Sequence, residues 1–145
     1  MKAENLMNGD WVKYIMVTHD AEFVDDLIVD KGQSTTEHII KIDSVNDSGV
    51  FFKSKKFDES FIFVSMKDLE PILLTDEILE KNGFKKDKDY GYFIGQSNSG
   101  YYVYFNNNYL SIQAGYDAIE FAWCEYVHVL QNALKLCGIK KEIKL

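Results

Sequence analysis

The chain has 145 residues, of which 46% are hydrophobic and 27% charged, values typical of a folded globular domain or of two small subdomains. Its net charge of −7 and its lack of arginine disfavour a protein whose main task is to grip phosphate groups. No apolar run reaches the ~18–20 residues of a membrane span, and the first residues lack the pattern of a signal peptide. We therefore expect a cytoplasmic protein that does not bind membranes.

The first half of the chain has the pattern of short strands separated by turns. Aromatic and β-branched residues dominate residues 11–17, 37–45 and 61–64. The sequence Asn46-Asp47-Ser48-Gly49 is typical of a hairpin turn. Short strands at this spacing predict a small SH3-like β-barrel or strongly bent sheet over residues 1–72.

A helix is predicted just after Pro71, where a second subdomain of residues 73–145 begins. Thr75 is a natural N-cap and Asn82-Gly83 is a stop signal, so about two helical turns lie between them. Ile78 and Leu79 are predicted to face inward.

Aromatic segments and turn-forming segments alternate after this helix, which predicts an antiparallel meander. Residues 85–89 are interpreted as a charged turn before the first strand. The predicted strands are residues 91–95, 100–105 and 109–114.

The last element is predicted to be a helix that ends at Gly138, in the position of a C′ glycine, with Ile139 as its Schellman contact. Its apolar face is expected to contain Trp123, Val127, Leu130, Leu134 and Cys137. Two patterns compete for its start, because Asp117 and Glu120 fit a capping box while residues 119–123 alternate like a strand. We favour a strand through about residue 124 and a helix from about residue 126.

These elements place the protein in the α+β class. The order is a small SH3-like barrel, a helix, an antiparallel meander and a C-terminal helix. We expect the two subdomains, residues 1–72 and 73–145, to pack as one compact unit.

Two segments carry a family resemblance. LEPILLTDEILEKNGF (residues 69–84) and YVHVLQNALKLCGIKKEI (residues 126–143), with GDWV at residues 9–12, resemble a family of small uncharacterised proteins of phage-like and mobile elements in gut anaerobic bacteria. The shared motifs are PI-x-LT-x-E-x-L-x-K-x-GF and YVH-x-LQ. The resemblance implies a fold and an accessory role in such an element, and it implies no reaction.

His128 is the weak catalytic candidate. Glu125 and Gln131 lie three residues to either side of it, so Glu125 could orient the ring as a base. A Cys124–His128 dyad is possible if the helix reaches Cys124. The alternative, which we favour, is a histidine at the helix surface or boundary that bonds to a neighbour.

Residues 20–30 contain five acidic residues and no lysine. They lack the spacing of an EF-hand, so we expect a solvated acidic loop and leave open whether it holds a cation. Cys124 and Cys137 are interpreted as packing residues, since they lack metal-ligand spacing and the predicted compartment is reducing. The chain also lacks phosphate-binding glycine motifs. We predict no metal site and no cofactor.

The stretch of residues 90–116 contains nine aromatic residues and no charged side chain. Tyrosine supplies rigid amphipathic area and asparagine supplies adaptable hydrogen bonds, a combination typical of binding surfaces. The alternative is that these tyrosines only stabilise the sheet by cross-strand pairing. The candidate binding residues are Tyr92, Tyr102, Tyr104, Asn106 and Tyr109.

We therefore predict a non-enzymatic interaction or accessory protein that binds a protein partner, or a second copy of itself, through this stretch. The alternative is a nucleic-acid-associated module that uses the SH3-like part, which the charge balance disfavours. An enzyme of unknown type ranks third.

Overall fold

The computed structural model describes residues 6–24, 27–54, 60–89, 91–96, 100–114, 117–121, 123–136 and 138–145. Side chains are described throughout these ranges except at 19–24, 27–31, 96, 114 and 117–121. Residues contact one another mainly within two units, Met1–Pro71 (unit 1) and Ile72–Leu145 (unit 2). The predicted α+β class is confirmed, because the strands form antiparallel sheets and two α-helices accompany them.

Unit 1 begins with a long hairpin of β1 (Trp11–Val24) and β2 (Leu27–Lys41). The acidic segment, residues 20–30, therefore lies mostly in paired strands, and the prediction of a loop there is wrong. Apolar residues between the acids explain the difference, since Phe23 pairs with Ile28 across the hairpin. The acidic side chains themselves lie outside the described residues, so a cation site there stays untested.

The remaining strands of unit 1 are short, and the predicted hairpin at residues 46–49 is confirmed. The Asn46 side chain accepts hydrogen bonds of 2.9 Å from the backbone N–H groups of Ser48 and Gly49, which shapes the turn. The elements are β3 (Ser44–Asn46), β4 (Gly49–Ser54), β5 (Ser60–Ser65), a 3₁₀ turn (Met66–Asp68) and β6 (Leu69–Glu70).

Two three-stranded sheets, in the orders β2-β1-β6 and β3-β4-β5, make up unit 1. Both sheets bury apolar side chains in one core, with Val12 and Ile40 from the first and Val50 and Phe52 from the second. Among the described strands the hydrogen bonding does not close into a barrel. Two separate sheets that share one core are therefore what the described residues establish.

Helix α1 (Asp76–Lys81) opens unit 2 as predicted. The Thr75 hydroxyl accepts a hydrogen bond of 3.3 Å from the Ile78 N–H, and Gly83 ends the helix with a φ of +78°. Leu79 is buried, while Ile78 is half-buried.

A five-stranded antiparallel sheet follows, in the order β11-β10-β9-β8-β7. Its strands are β7 (Lys85–Asp87), β8 (Gly91–Gln96), β9 (Tyr101–Asn106), β10 (Tyr109–Ala114) and β11 (Asp117–Phe121). The predicted meander is confirmed. The predicted turn at residues 85–89 is wrong in its first half, because residues 85–87 pair with β8 as a charged edge strand.

Helix α2 (Val127–Leu136) begins where we favoured. Gly138 has a φ of +71°, and the Ile139 N–H donates to the Leu134 carbonyl at 2.9 Å, which is the predicted Schellman end. Val127, Leu130 and Leu134 are buried as predicted. Trp123 precedes the helix and is exposed, so its place on the buried helical face was wrong; Cys137 lies outside the described residues.

Asn82 joins the end of α1 to the last residues of unit 2. Its amide group donates to the Ile78 and Lys144 carbonyls at 2.8 and 2.7 Å, and its oxygen accepts from the Lys144 N–H at 2.8 Å. Ile143, next to this contact, is fully buried. The segment after α2 is therefore part of the core of unit 2.

We expect Asn82→Ala to lower the free energy of unfolding by about 2 kcal/mol, because it leaves buried backbone groups without partners. Asn82→Asp keeps the acceptor but sets a carboxylate oxygen against the Ile78 and Lys144 carbonyls, so it should lose at least as much. Urea unfolding followed by circular dichroism measures both, with the exposed Asn106→Ala as control. Stability within ~0.5 kcal/mol of the parent for Asn82→Ala would contradict the role of this contact.

Candidate interaction surfaces

The sheet of unit 2 carries an aromatic surface on the side facing away from its core. Tyr102 is 48% exposed, and its ring centroid lies 6.3 Å from that of half-buried Tyr104, with the planes 28° apart. Phe93, opposite Tyr104 on β8, lies 6.4 Å from it between ring centroids. Alternation along the strands places these residues on one side together with Asn106 and Tyr109. We call Phe93, Tyr102, Tyr104, Asn106 and Tyr109 the outer face.

Four of the five predicted binding residues, Tyr102, Tyr104, Asn106 and Tyr109, therefore share this surface. The turn that connects β9 to β10 is made by Asn107 and Asn108, with φ values of 50° and 65°. Such a two-residue turn with both residues in the left-handed region fixes the strand register, and with it the row of side chains.

Trp123 extends the outer face and was missed as a surface residue. It is 57% exposed, and its ring meets that of Tyr109, itself 58% exposed, edge to face at 6.0 Å. Its φ is 62°, a conformation that is rare for an aromatic residue. Its indole N–H donates to the Glu125 carboxylate at 3.4 Å. The i, i+4 spacing from Trp123 to Val127 predicted that Trp123 lies on the buried face of the helix. The exposure of Trp123 was missed for that reason.

Tyr92 does not belong to the outer face. It is 5% exposed, because its position on β8 points to the core side, opposite to Phe93. Its hydroxyl donates to the Glu80 carboxylate at 3.0 Å, and the Lys86 ammonium lies 5.1 Å from its ring centroid. The hydrogen bond from Tyr92 therefore connects the sheet to α1. The prediction that Tyr92 is part of the binding surface is wrong, because its side chain is buried.

The surroundings of Tyr92 shift several pKa values. Burial raises the pKa of the Tyr92 phenol, and its hydrogen bonds to Asp76 and Glu80 act in the same direction. Hydrogen bonds to Tyr92 and to Lys86 lower the pKa of Asp76. Hydrogen bonds to Tyr92 and to Asp76 raise the pKa of Lys86. All of these shifts favour the protonation states that hold α1 to β7 and β8 near neutral pH.

His128, the weak catalytic candidate, is 4% exposed rather than a surface or boundary residue. Its ring stacks on that of Tyr126, with centroids 5.8 Å apart. Glu125 lies before the start of α2, and its carboxylate is hydrogen-bonded to the side chains of Trp123 and Tyr126. The helical relation that would place Glu125 or Cys124 on the same face as His128 is therefore absent.

Cys124 is fully buried, and burial raises the pKa of its thiol to about 12. Its N–H donates to the Asn108 carbonyl at 2.6 Å, so it anchors the segment before α2 to the turn of the sheet. A thiol with this pKa is protonated at neutral pH. The predicted packing role of Cys124 fits this environment better than a nucleophilic one.

Unit 1 contains a groove of about 860 Å³ beside β2, which no pattern in the sequence predicts. Aromatic side chains line it: the rings of Tyr14 and His38 stack with centroids 5.0 Å apart, and Phe52 lies 5.7 Å from Tyr14. The Nε2 atom of His38 is buried and has no hydrogen-bond partner among the described residues. We call this feature the β2 groove.

Phe51, Phe61 and Phe63 form a second apolar group in unit 1, on the side of β4 and β5 away from the core. The rings of Phe51 and Phe63 lie 5.1 Å apart between centroids, and Phe61 and Phe63 are exposed. Period-two alternation in residues 61–64 could have indicated this exposed row.

Within the described parts of both units, no group of three or more His, Cys, Asp or Glu residues is placed to hold a metal ion. No helix among the described residues is long and apolar enough to cross a membrane. Comparison with protein-family models, with curated proteins and with solved structures found no match. The family resemblance of residues 69–84 and 126–143 therefore stays a prediction.

We expect the Cys124 thiol to resist modification in the native protein. In a Cys137→Ser background, its reaction with a disulfide reagent at pH 8 should be at least ~100-fold slower than in the urea-unfolded chain, because the thiolate fraction is so much smaller. Absorbance of the released thiol measures the rate. A native rate near that of the unfolded chain would contradict the burial of Cys124 and would favour the Cys124–His128 dyad instead.

We expect Trp123→Gly to be more stable than Trp123→Ala by about 1 kcal/mol, because only glycine adopts the positive φ without a steric cost. Both variants remove the ring, so their difference isolates the backbone contribution. Urea unfolding measures it. Equal stability of the two variants would show that the backbone relaxes at this position.

Proposed function

We propose that the protein is a non-enzymatic interaction protein that binds another protein through the outer face. The observation that carries this proposal is the row of solvent-exposed rings of Tyr102, Tyr109 and Trp123. Large aromatic side chains bury much area at a low cost in conformational entropy, and they dominate the affinity of many interfaces. In line with the resemblance of residues 69–84 and 126–143, we propose an accessory role in a phage-like or mobile element.

The charges around the outer face favour a protein over a nucleic acid as the partner. Its five members carry no formal charge. Lys85 pairs opposite Phe93 at one edge, and Glu125 is hydrogen-bonded to Trp123 at the other. Nucleic-acid affinity depends on several cations that neutralise phosphates, which this surface lacks. Binding at the outer face should therefore depend little on salt.

The composition of the outer face favours a different protein over a second copy of this chain. Half-buried Ser111 and Gln113 lie next to Tyr104 and Tyr102 on β10, so aromatic and polar groups alternate across the sheet. This mixture is typical of separable interfaces, whereas permanent homodimers bury larger and more apolar surfaces. Self-association is an outcome that the experiment below distinguishes.

For unit 1 we propose an SH3-like arrangement. Its support is the order of elements: a long hairpin β1–β2, the short β3, a hairpin β4–β5, a 3₁₀ turn, and a last strand β6 that pairs with β1. A nucleic-acid role for this unit has less support, because residues 1–70 carry 14 acidic residues against 8 lysines.

A photo-crosslinking residue in place of Tyr102 tests the proposal. In a lysate of the source cells, we expect a discrete adduct that persists at high salt and disappears when Tyr104→Ser and Tyr109→Ser are added. Two added variants are used because removing one ring leaves much of the buried area intact. Mass spectrometry of the adduct identifies its components.

The control places the same photo-reactive residue at Leu136, an exposed apolar position at the end of α2 that belongs neither to the outer face nor to the β2 groove. An adduct formed equally from both positions, or one that survives the two serine substitutions, would overturn the outer face as the binding surface. An adduct of twice 16.8 kDa that contains only this chain would replace the protein partner by a second copy.

A further inference from the structure

The β2 groove borders a strand edge whose backbone groups are exposed. The Ile42 N–H donates to the Asp10 carbonyl beside β1, and the next N–H, that of Asp43, points the opposite way to the Phe51 carbonyl, both at 2.9 Å. The register of β1 with β2 is unbroken from residue 41 to residue 33. Alternation therefore directs the backbone N–H and carbonyl groups of Glu37 and Ile39 away from β1.

No strand pairs with this edge of β2 among the described residues, since β2 is the outer strand of its sheet. Glu37 and Ile39 are both exposed, so nothing in the described structure replaces water on these backbone groups. An unprotected edge of this kind is a template on which an extended chain adds as a further strand.

The side chains beside the edge fit such an added strand. Tyr14, His38 and Phe52 line the groove, and the exposed Ile39 borders it. Successive side chains of an added strand alternate between the two sides of the sheet, so every second one would rest on the aromatic side chains. The buried Nε2 of His38, which lacks a partner among the described residues, marks this lining as one that the chain does not fully satisfy by itself.

Two lysines give the groove its local charge. Lys41 and Lys53 both line it, with their ammonium groups 5.8 Å from the Trp11 ring centroid and 5.3 Å from the Phe61 ring centroid. The one carboxylate in the lining, that of Asp43, accepts a hydrogen bond of 2.7 Å from the Lys53 backbone N–H. A negatively charged side chain therefore finds complementary charge here.

The nearest acidic residue of the hairpin, Glu37, is paired with the Lys13 ammonium at 3.4 Å, and the acidic residues at positions 20–30 lie too far along β2 to oppose such a ligand. Asp30 is eight residues from His38, or roughly 26 Å at the rise of a strand. Charges interact weakly beyond about 8 Å at physiological ionic strength. Residues 20–30 therefore contribute little to the potential at the groove.

We propose that the β2 groove binds an extended peptide segment that carries an acidic residue between apolar ones, by adding it as a strand to β2. This site is separate from the outer face and does not depend on it. A peptide fits better than a single-stranded nucleic acid, because the exposed edge offers the alternating donors and acceptors that a peptide backbone pairs with. The excess acidic charge of unit 1 also repels a polyanion.

The peptide Ac-TVEVT-NH₂ is the probe. In titrations of the isotopically labelled full chain followed by NMR, we expect the amide signals of Glu37 and Ile39 and the indole signal of Trp11 to shift. A peptide with N-methylated backbone amides should bind at least ~10-fold more weakly, because it has lost its donors to the edge. Ac-TVKVT-NH₂ should also bind at least ~10-fold more weakly, because its charge is reversed.

Two variants test the same contacts from the side of the protein. Ile39→Pro removes the outward N–H but no hydrogen bond of the β1–β2 ladder, so it should abolish peptide binding and leave the other amide signals in place. The double variant Lys41→Glu, Lys53→Glu should weaken Ac-TVEVT-NH₂ at least ~10-fold and reverse the preference between the two peptides. Lys67→Glu, at an exposed lysine of the 3₁₀ turn, is the matched control.

The proposal is overturned if the groove signals do not shift, or if the N-methylated peptide binds as tightly as its parent. If Ile39→Pro perturbs the fold, the N-methylated peptide still decides the question with the unaltered chain. Tighter binding of oligothymidylate at the same signals, lost steeply with salt, would assign the groove to nucleic acid. None of these results bears on the outer face, which the crosslinking experiment tests by itself.

Discussion

The alternation of side chains across the β7–β11 sheet is the constraint on which the arrangement of unit 2 depends. One set of positions, among them Tyr92 and Val103, is buried in the core, while the neighbouring positions Phe93, Tyr102 and Tyr104 form the outer face. A shift of one residue in register would exchange the two sets. The Asn107-Asn108 turn prevents that shift and so preserves both the core and the exposed aromatic row.

Alternation along the strands also determines which groups of unit 1 are buried and which are exposed. Its core is filled by side chains from two small sheets, and the first of these sheets ends at β2 without a further strand among the described residues. Burial of Val12 and Ile40 fixes which side of β2 faces the core. The same choice leaves the backbone of Glu37 and Ile39 directed outward. The exposed edge thus follows from the way the hairpin is seated on its core.

Local signals made much of the fold predictable. Thr75, Gly83 and Gly138 each act through their own backbone or side-chain geometry, so the ends of both helices could be identified from a few residues. The charged strand at residues 85–87 could not, because its pairing with β8 is set by tertiary contacts rather than by propensity. The outer face was predictable from alternation, whereas Trp123 and the β2 groove depend on how distant segments meet.

The hydrogen bonds between Asn82 and Lys144 have a consequence for how the protein folds during synthesis. They join residues 62 positions apart, and the neighbouring Ile143 completes the core of unit 2. Unit 2 therefore cannot reach its final packing until the ribosome has released residue 144. All described strands of unit 1 precede residue 71, so its sheets can assemble while the second half is still being translated. The first half of the chain can therefore fold before the second half. During translation there is a period in which unit 1 is folded and the core of unit 2 is still incomplete.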